Sequence, residues 1–313
     1  MPEGNFQNTP VKEKTKLQKL REAEIREQIV SDQEGRPLAW RPKKLLEKFG
    51  DRVMAGTSAL GIEGYDTSAP IRITEKKDRF SNNSLPGRFG AGRALVRLLA
   101  ALNPERKLDT HNIIKTALTH GKKVVTVDEN YLKANKDELA HYEADGLVTN
   151  LGVDKVILFV ANADCPSITV FAPDVNAVGL GHCGWKGLKA GMVTELIQKI
   201  HTEYGADISK LHFVVSPNAG ELEYEVGEDV YHDFTSQDSK FAQAFIEKAA
   251  KDDEKKFSFN LNKIIELEAL KAGIDPASLE VSRLSTIESD FFASYRRQGS
   301  SRSTNVSLAG LLK

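Results

Sequence analysis

The apolar positions of this chain alternate between two spacings. Residues 156–161, Val-Ile-Leu-Phe-Val-Ala, are continuously apolar, as expected of a strand buried on both faces. Two shorter apolar runs follow at 168–172 and 177–181. Pro173, Asp174 and Asn176 supply turn chemistry between them, so the pair is predicted as a hairpin. Residues 124–127, 211–215 and 279–284 read as further strands. Over 187–204 the period lengthens: Leu188, Met192, Leu196, Ile197 and Ile200 fall on one stripe of an amphipathic helix. Helices are also predicted at 92–102, stopping before Pro104, and in two pieces over 227–250. A further one at 259–272 ends at Gly273 with Pro276 beyond. The stretch 81–90, rich in Gly, Ser, Asn and Pro, reads as a loop. Hairpin pairs mixed with strand–helix units predict an α/β (α+β mixed) chain with layered sheets.

Before residue 46 the pattern weakens. Residues 1–10 read as a disordered lead. Residues 11–30 are rich in helix formers and mixed charge, with sparse apolar positions at Val11, Leu17, Leu20, Ile25, Ile29 and Val30. That composition predicts a solvated helix that packs weakly or mediates self-association. Gly35, Pro37 and Pro42 mark 31–45 as a linker. The expected organisation is therefore an N-terminal extension, 1–45, and one large domain, 46–313.

Composition narrows the function classes. A formal net charge of -1 provides no global attraction to nucleic acid or acidic membranes. No apolar run approaches the ~20 residues that span a bilayer, and the first twenty residues lack the apolar core of a signal peptide. A cytoplasmic monomer is the default expectation. Two cysteines, Cys165 and Cys183, are too few for a disulfide scaffold and suit a reducing compartment. A disulfide between them is the plain alternative.

The segment AVGLGHCGWKGLKAG, residues 177–191, places His182, Cys183 and Trp185 in a glycine-rich turn between strand and helix. Such turns commonly expose reactive side chains. A second corner, ANADCP, holds Asp164 and Cys165. Cys165 and His182 lie seventeen residues apart, at the ends of successive strands. Imidazole and thiol are ligand types for zinc, which takes three protein ligands in catalytic sites. His120, at the mouth of a strand in THGKKVVTV, is the best third candidate. Plainer readings stand beside these: a buried small thiol for Cys165, a turn filler for His182, a core aromatic for Trp185. His111, His141, His201, His212 and His232 read as structural or surface residues. Glu225 and Gly227 in YEVG would shape either an anion-binding loop or an ordinary strand-to-helix turn. Near the end, Phe291, Phe292 and Tyr295 accompany Arg296, Arg297 and Arg302, a combination suited to a base and a phosphate or to a surface strand with salt bridges.

Six motifs occur in the order and spacing of one family: THG (119–121), ADGLVT (144–149), ADCP (163–166), HCGWKG (182–187), YEVG (224–227) and FFASYRR (291–297). Over residues 50–313 the chain resembles the multicopper polyphenol oxidase (laccase-like) family, also called the YfiH or YlmD family. The resemblance implies a layered α/β/β/α sandwich. It implies a zinc-dependent purine nucleoside phosphorylase with additional adenosine deaminase activity, acting on purine nucleosides and phosphate. His120, Cys165 and His182 would be the metal ligands. Asp164 would join Cys165 in catalysis as an acid or as an orienting group, and Lys186, Arg296, Arg297 and Arg302 would line the phosphate pocket. The older family label implies copper and phenol oxidation instead, and a partner-binding relative with a relict site is a third reading. The chain departs from the family pattern at Leu118 (usually Gln), Cys183 (Ala), Lys186 (Arg), Ser216 (Gly) and in SSR (T-G-R), where Arg302 is kept.

Overall fold

A computed structural model describes residues 10–59, 88–134, 143–249, 254–299 and 304–312. The loop expected at 81–90 falls mostly outside these residues, as do His141 and Arg302.

Three sheets organise the chain. The first has the order β1 (Ile29–Ser31), β2 (Pro37–Trp40), β3 (Val53–Ser58), β15 (Asn305–Leu311), β7 (Ile157–Asn162) and β4 (Ile113–Lys115). The second runs β14 (Leu279–Val281), β10 (His212–Val215), β8 (Ser167–Ala172), β9 (Ala177–His182), β6 (Gly146–Thr149) and β5 (Val124–Thr126). The third, smaller sheet is β11 (Glu225–Gly227), β13 (Lys256–Phe259) and β12 (Phe245–Glu247). Strands β8 and β9 form the expected antiparallel hairpin, with Ser167 opposite His182.

The pleat shows why 156–161 is continuously apolar. Leu158 and Val160 point into a core shared with Leu147, Phe171, Val178, Leu180 and Val214 of the second sheet. Ile157 and Phe159 point the other way, onto Leu95, Leu98, Leu99 and Leu102 of α3 (Arg88–Leu102). The outer face of the second sheet is covered by α6 (Met192–Tyr204) and α8 (Leu261–Lys271) through a third cluster. The layers are thus helix, sheet, sheet, helix, the sandwich anticipated above. Close packing of α6 needs small residues on β9: a Cβ at Gly181 would fall 2.5 Å from Met192 Cε.

Four expectations are corrected. The helix over 187–204 is two helices, α5 (Trp185–Ala190) and α6, because Gly191 adopts φ +90° and its N–H closes α5 on Leu188 O. In the 227–250 region α7 (Glu228–Thr235) and a 3₁₀ turn are followed by β12, not by a second helix. Phe245 stacks on Phe259 at 4.3 Å, and that aromatic pairing holds the segment as a strand. The 31–45 stretch is not a linker: β1 and β2 form a hairpin on the first sheet. Asp32 accepts the N–H groups of Glu34 and Arg36, and Gly35 turns with φ +76°. Finally, α1 (Pro10–Gln28) is not weakly packed, since Arg21 and Glu24 are buried.

Candidate metal centre

Two strand ends and one loop meet at a single corner. Cys165 follows β7 by three residues, His182 ends β9, and His120 lies in the loop ahead of β5. The rings of His120 and His182 stand perpendicular with centroids 5.1 Å apart. Gly184 keeps the corner open: a Cβ there would sit 2.9 Å from Cys165 Sγ and 3.3 Å from His182 Cε1. The three side chains expected from spacing and ligand type are therefore neighbours at one corner, His120 beside His182 and Cys165 and His182 on either side of Gly184. Cys183, by contrast, is fully buried among apolar side chains, and burial pushes its thiol well above the usual range. Both cysteines are free thiols, which removes the disulfide alternative.

The sequence reading missed Asp145, the residue that builds this corner. It is fully buried at the start of β6. Its Oδ1 accepts the N–H of Thr119 at 3.1 Å and of His120 at 2.7 Å, and Oδ2 accepts that of Gly121 at 2.8 Å. These bonds hold His120 in a left-handed conformation, φ +59°, that a histidine rarely adopts. Burial opposes ionisation of Asp145, but His182, Thr119 and the Gly121 amide outweigh it and bring the carboxyl down to about 2. The available signal was an aspartate placed directly before the apolar strand GLVT, where a charge has no reason to be unless several donors meet it.

Asp145 Oδ1 also faces His182 Nδ1 at 3.6 Å, an ion-pair separation too long for a hydrogen bond. Burial disfavours the His182 cation, yet the neighbouring Cys165 and Asp145 prevail and push it up to about 9. The corner is therefore a place of negative field that favours a cation. His120 has the opposite tendency. Burial and the adjacent His182 lower its pKa, leaving a neutral imidazole with a lone pair to donate. A carboxylate behind a histidine is the arrangement that orients imidazole ligands in metal sites. Among the described residues no three His, Cys, Asp or Glu side chains already converge on a common point. The fit to a metal is one of donor type, proximity and field.

Above this floor opens a cavity of about 500 Å³, lined by Thr119, His120, Asp164, Cys165, Trp185, Lys186, Tyr224, Tyr295 and Arg296, among others. Trp185 is half-buried: it packs against the core beneath the second sheet's helices and also lines the cavity as a wall. Lys186 and Arg296 are exposed at the rim: Lys186 Nζ lies 5.7 Å from the Trp185 ring centroid, and the Arg296 guanidinium 4.9 Å from that of Tyr224. Asp164 is buried with φ +79°. Its Oδ1 accepts Thr286 Oγ1 at 2.6 Å and its Oδ2 the Arg296 N–H at 2.7 Å. The carboxylate thus ties the Thr286 loop to the backbone at Arg296.

Arg297 does not reach the cavity. Its guanidinium donates to Ser289 O and Phe292 O, each at 2.7 Å, and pins the preceding turn. Glu225 pairs with Lys248 at 3.1 Å within the small sheet, the ordinary strand-to-helix arrangement rather than an anion loop. His201 bonds Ala206 O, His212 packs on Phe49 and His232 lies beside Glu228, as structural or surface residues.

A family model described as multi-copper polyphenol oxidoreductase laccase matches residues 94–311, which include all three donors of the corner. The chain belongs to this family. Among its relatives, a purine nucleoside phosphorylase of Rickettsia conorii is 32% identical, the match covering 50% of this chain and 58% of the relative. A purine nucleoside phosphorylase of Bacteroides thetaiotaomicron is 26% identical, over 58% of this chain and 66% of the relative. An adenosine deaminase, RL5, from an unknown prokaryotic organism is 25% identical, over 66% and 71%. The chain therefore spans under two thirds of the length of the first two relatives. The fold matches solved structures closely. YfiH of Bacillus licheniformis superposes with a TM-score of 0.67 at 20% identity, covering 88% of this chain and 96% of that one. YlmD from Geobacillus stearothermophilus gives 0.67 at 19%, covering 92% and 100%. Among the described residues no helix is long and apolar enough to cross a membrane.

Proposed function

We propose that this protein is a zinc-dependent purine nucleoside phosphorylase, with adenosine deamination as a second activity of the same cavity. The observation that carries the reading is the composition of that cavity. It joins a nitrogen-and-sulfur floor (His120, Cys165, His182), aromatic walls (Trp185, Tyr224, Tyr295) and cationic groups at the rim (Lys186, Arg296). A purine presents a flat π-face, a phosphate presents charge, and a zinc ion takes soft and borderline donors. The names of the relatives above agree with this chemistry.

His120, Cys165 and His182 would hold the zinc, with Asp145 fixing both the His120 loop and the field around His182. Bound there, the ion would supply Lewis acidity and make water a nucleophile near neutral pH, where its pKa drops to ~7 in well-studied sites. The remaining work falls to this chain's own residues. Trp185 and Tyr224 would bracket the base. Burial, followed by the neighbouring Cys165, raises the Tyr224 pKa, so its phenol stays protonated and able to donate. Lys186 and Arg296 would neutralise phosphate as one of its oxygens bonds to C1′ and the C1′–N9 bond breaks toward the purine. Asp164 acts as a positioning residue, setting the backbone at Arg296. That role replaces the proton-donor role considered from the sequence, because both of its oxygens already accept protein hydrogen bonds.

One alternative has an observation of its own. Two imidazoles and a thiolate also suit copper, and the family description names that metal. A single assay separates the readings. Purified protein is analysed for metal, then incubated with inosine or adenosine, with and without phosphate, and with a phenolic substrate. The expected result is about one zinc per chain and hypoxanthine or adenine released only with phosphate. Copper at stoichiometry with phenol oxidation, and no free base, would reverse the assignment. No turnover of either kind would leave the relict-site reading.

A further inference from the structure

The helix α1 lies outside the family-matched segment 94–311, yet it is wired to the cavity. Arg21 is buried at 8% exposure and reaches two loops at once. It grips Glu223 with a two-pronged contact, 3.0 Å on each side, donates to Arg283 O at 2.6 Å, and also pairs with Glu288. One turn further on, Glu24 accepts the Arg283 N–H at 2.8 Å, the Ser282 hydroxyl and the Trp40 indole N–H at 2.9 Å.

Both loops end at the cavity. Glu223 directly precedes Tyr224, whose ring forms a wall and carries the Arg296 guanidinium. The second loop delivers Thr286, which donates to Asp164 beside Cys165, and its Thr286 N–H bonds Asn218 O of the first loop at 2.6 Å. Gly220, between the loops, leaves no room for slack: a Cβ there would meet Ser285 Oγ at 2.7 Å.

We propose that α1 is a positioning strap, in which Arg21, clamped between Glu223 and Glu288, sets Tyr224 and Asp164 and thereby the shape of the cavity. The part concerning turnover rests on the nucleoside reading above. A fork of five donors held by two carboxylates fixes direction as well as distance, which a lysine cannot do as well.

The test compares wild type, Arg21→Ala, Arg21→Lys and Glu223→Gln in the full chain. Hydrogen–deuterium exchange is read first, since it needs no substrate. The strap requires faster exchange in 218–228 and 284–298 in Arg21→Ala, with β7, β8 and β9 unchanged and with Arg21→Lys intermediate. Unchanged exchange in both loops, or a uniform rise over all elements, overturns it. If Arg21→Ala does not fold, Glu223→Gln gives the same readout from the other side of the pair. Kinetics come second. KM for inosine should rise five- to tenfold in Arg21→Ala, with kcat and zinc content changed by less than twofold and partial recovery in Arg21→Lys. Equal loss of kcat and KM effect at lowered zinc would show a merely structural role and overturn the positioning claim. A wild type without nucleoside turnover defeats the nucleoside reading alone, and the exchange comparison still decides the strap.

Discussion

Two helices of this molecule are held by opposite physics. The helix α6 lays Met192, Val193, Leu196, Ile197 and Ile200 against the second sheet, all fully buried. The helix α1 is longer but sparse in apolar residues; beside Leu17 and Ile25 it docks through Arg21 and Glu24, most of whose partners lie about two hundred or more residues further along the chain. Apolar burial is non-directional, so it tolerates adjustment of the surface it meets. A buried guanidinium and carboxylate must find their partners in one geometry or be left unpaired. The first kind of docking builds the sandwich. The second ties separate loops to one another beside a cavity.

The contrast should appear first in stability. Leu196→Ala removes a core side chain facing the second sheet and is expected to cost about 3 kcal/mol in denaturant unfolding, spread over the whole domain. A loss below about 1 kcal/mol would mean that α6 is not integral to the core. Glu24→Ala leaves the Trp40, Ser282 and Arg283 donors without their acceptor and is expected to cost about 2 kcal/mol. Here the extra hydrogen exchange should concentrate in α1 and 282–288, and a uniform increase would erase the distinction between the two modes.

Acid separates the buried carboxylates by sign. Burial raises Glu24 above its ordinary 4.5, with its hydrogen bonds only partly offsetting this. The folded state then holds that proton more tightly than the unfolded one, so stability falls as pH rises from about 4.5 through the folded pKa. Asp145 lies at about 2 in the fold against an ordinary 3.8. Its stabilisation, roughly 2 kcal/mol, is present above the unfolded value and is lost as pH falls from about 4 through 2. Unfolding midpoints against pH for wild type and Glu24→Gln should diverge above pH 4.5 and converge below it. Parallel curves would show that burial of Glu24 carries no linkage. The smallest effect belongs to the exposed pair Lys199–Glu203 on α6, 2.7 Å apart. Lys199→Ala should change stability by under about 0.5 kcal/mol, and a loss as large as that of Glu24→Ala would collapse the distinction between buried and solvated ionic contacts.

The same division explains how much of the molecule was legible in its sequence. The strands β7, β8, β9 and β10 and the stripe of α6 were readable because burial on a sheet or helix face writes a local period. His120, Cys165 and His182 stand out as candidate donors at strand mouths in the order of a family pattern, and the fold places them at one corner. Asp145 was not, because its role comes from three N–H groups of a loop some twenty-five residues earlier. Arg297 looked equivalent to Arg296, but only the fold shows one guanidinium at the cavity and the other folded back on its own turn. The β1–β2 hairpin reads as a linker in sequence because its glycine and prolines are turn and strand-edge residues, which carry the same composition. Arg21 and Glu24 looked like solvated charges for the reason that separates α1 from α6: polar docking leaves no local period.

The claim on which the functional reading stands is that the three donors form one catalytic floor. The most direct measurement is metal content and phosphate-dependent hypoxanthine release, read side by side in wild type, Cys165→Ser and His182→Ala, with unfolding followed to confirm that each variant is folded. Wild type should carry about one zinc per chain, and both variants should lose the metal together with at least a hundredfold of the turnover, an effect equivalent to about 2.7 kcal/mol. Stoichiometric zinc and undiminished base release in either variant would contradict it.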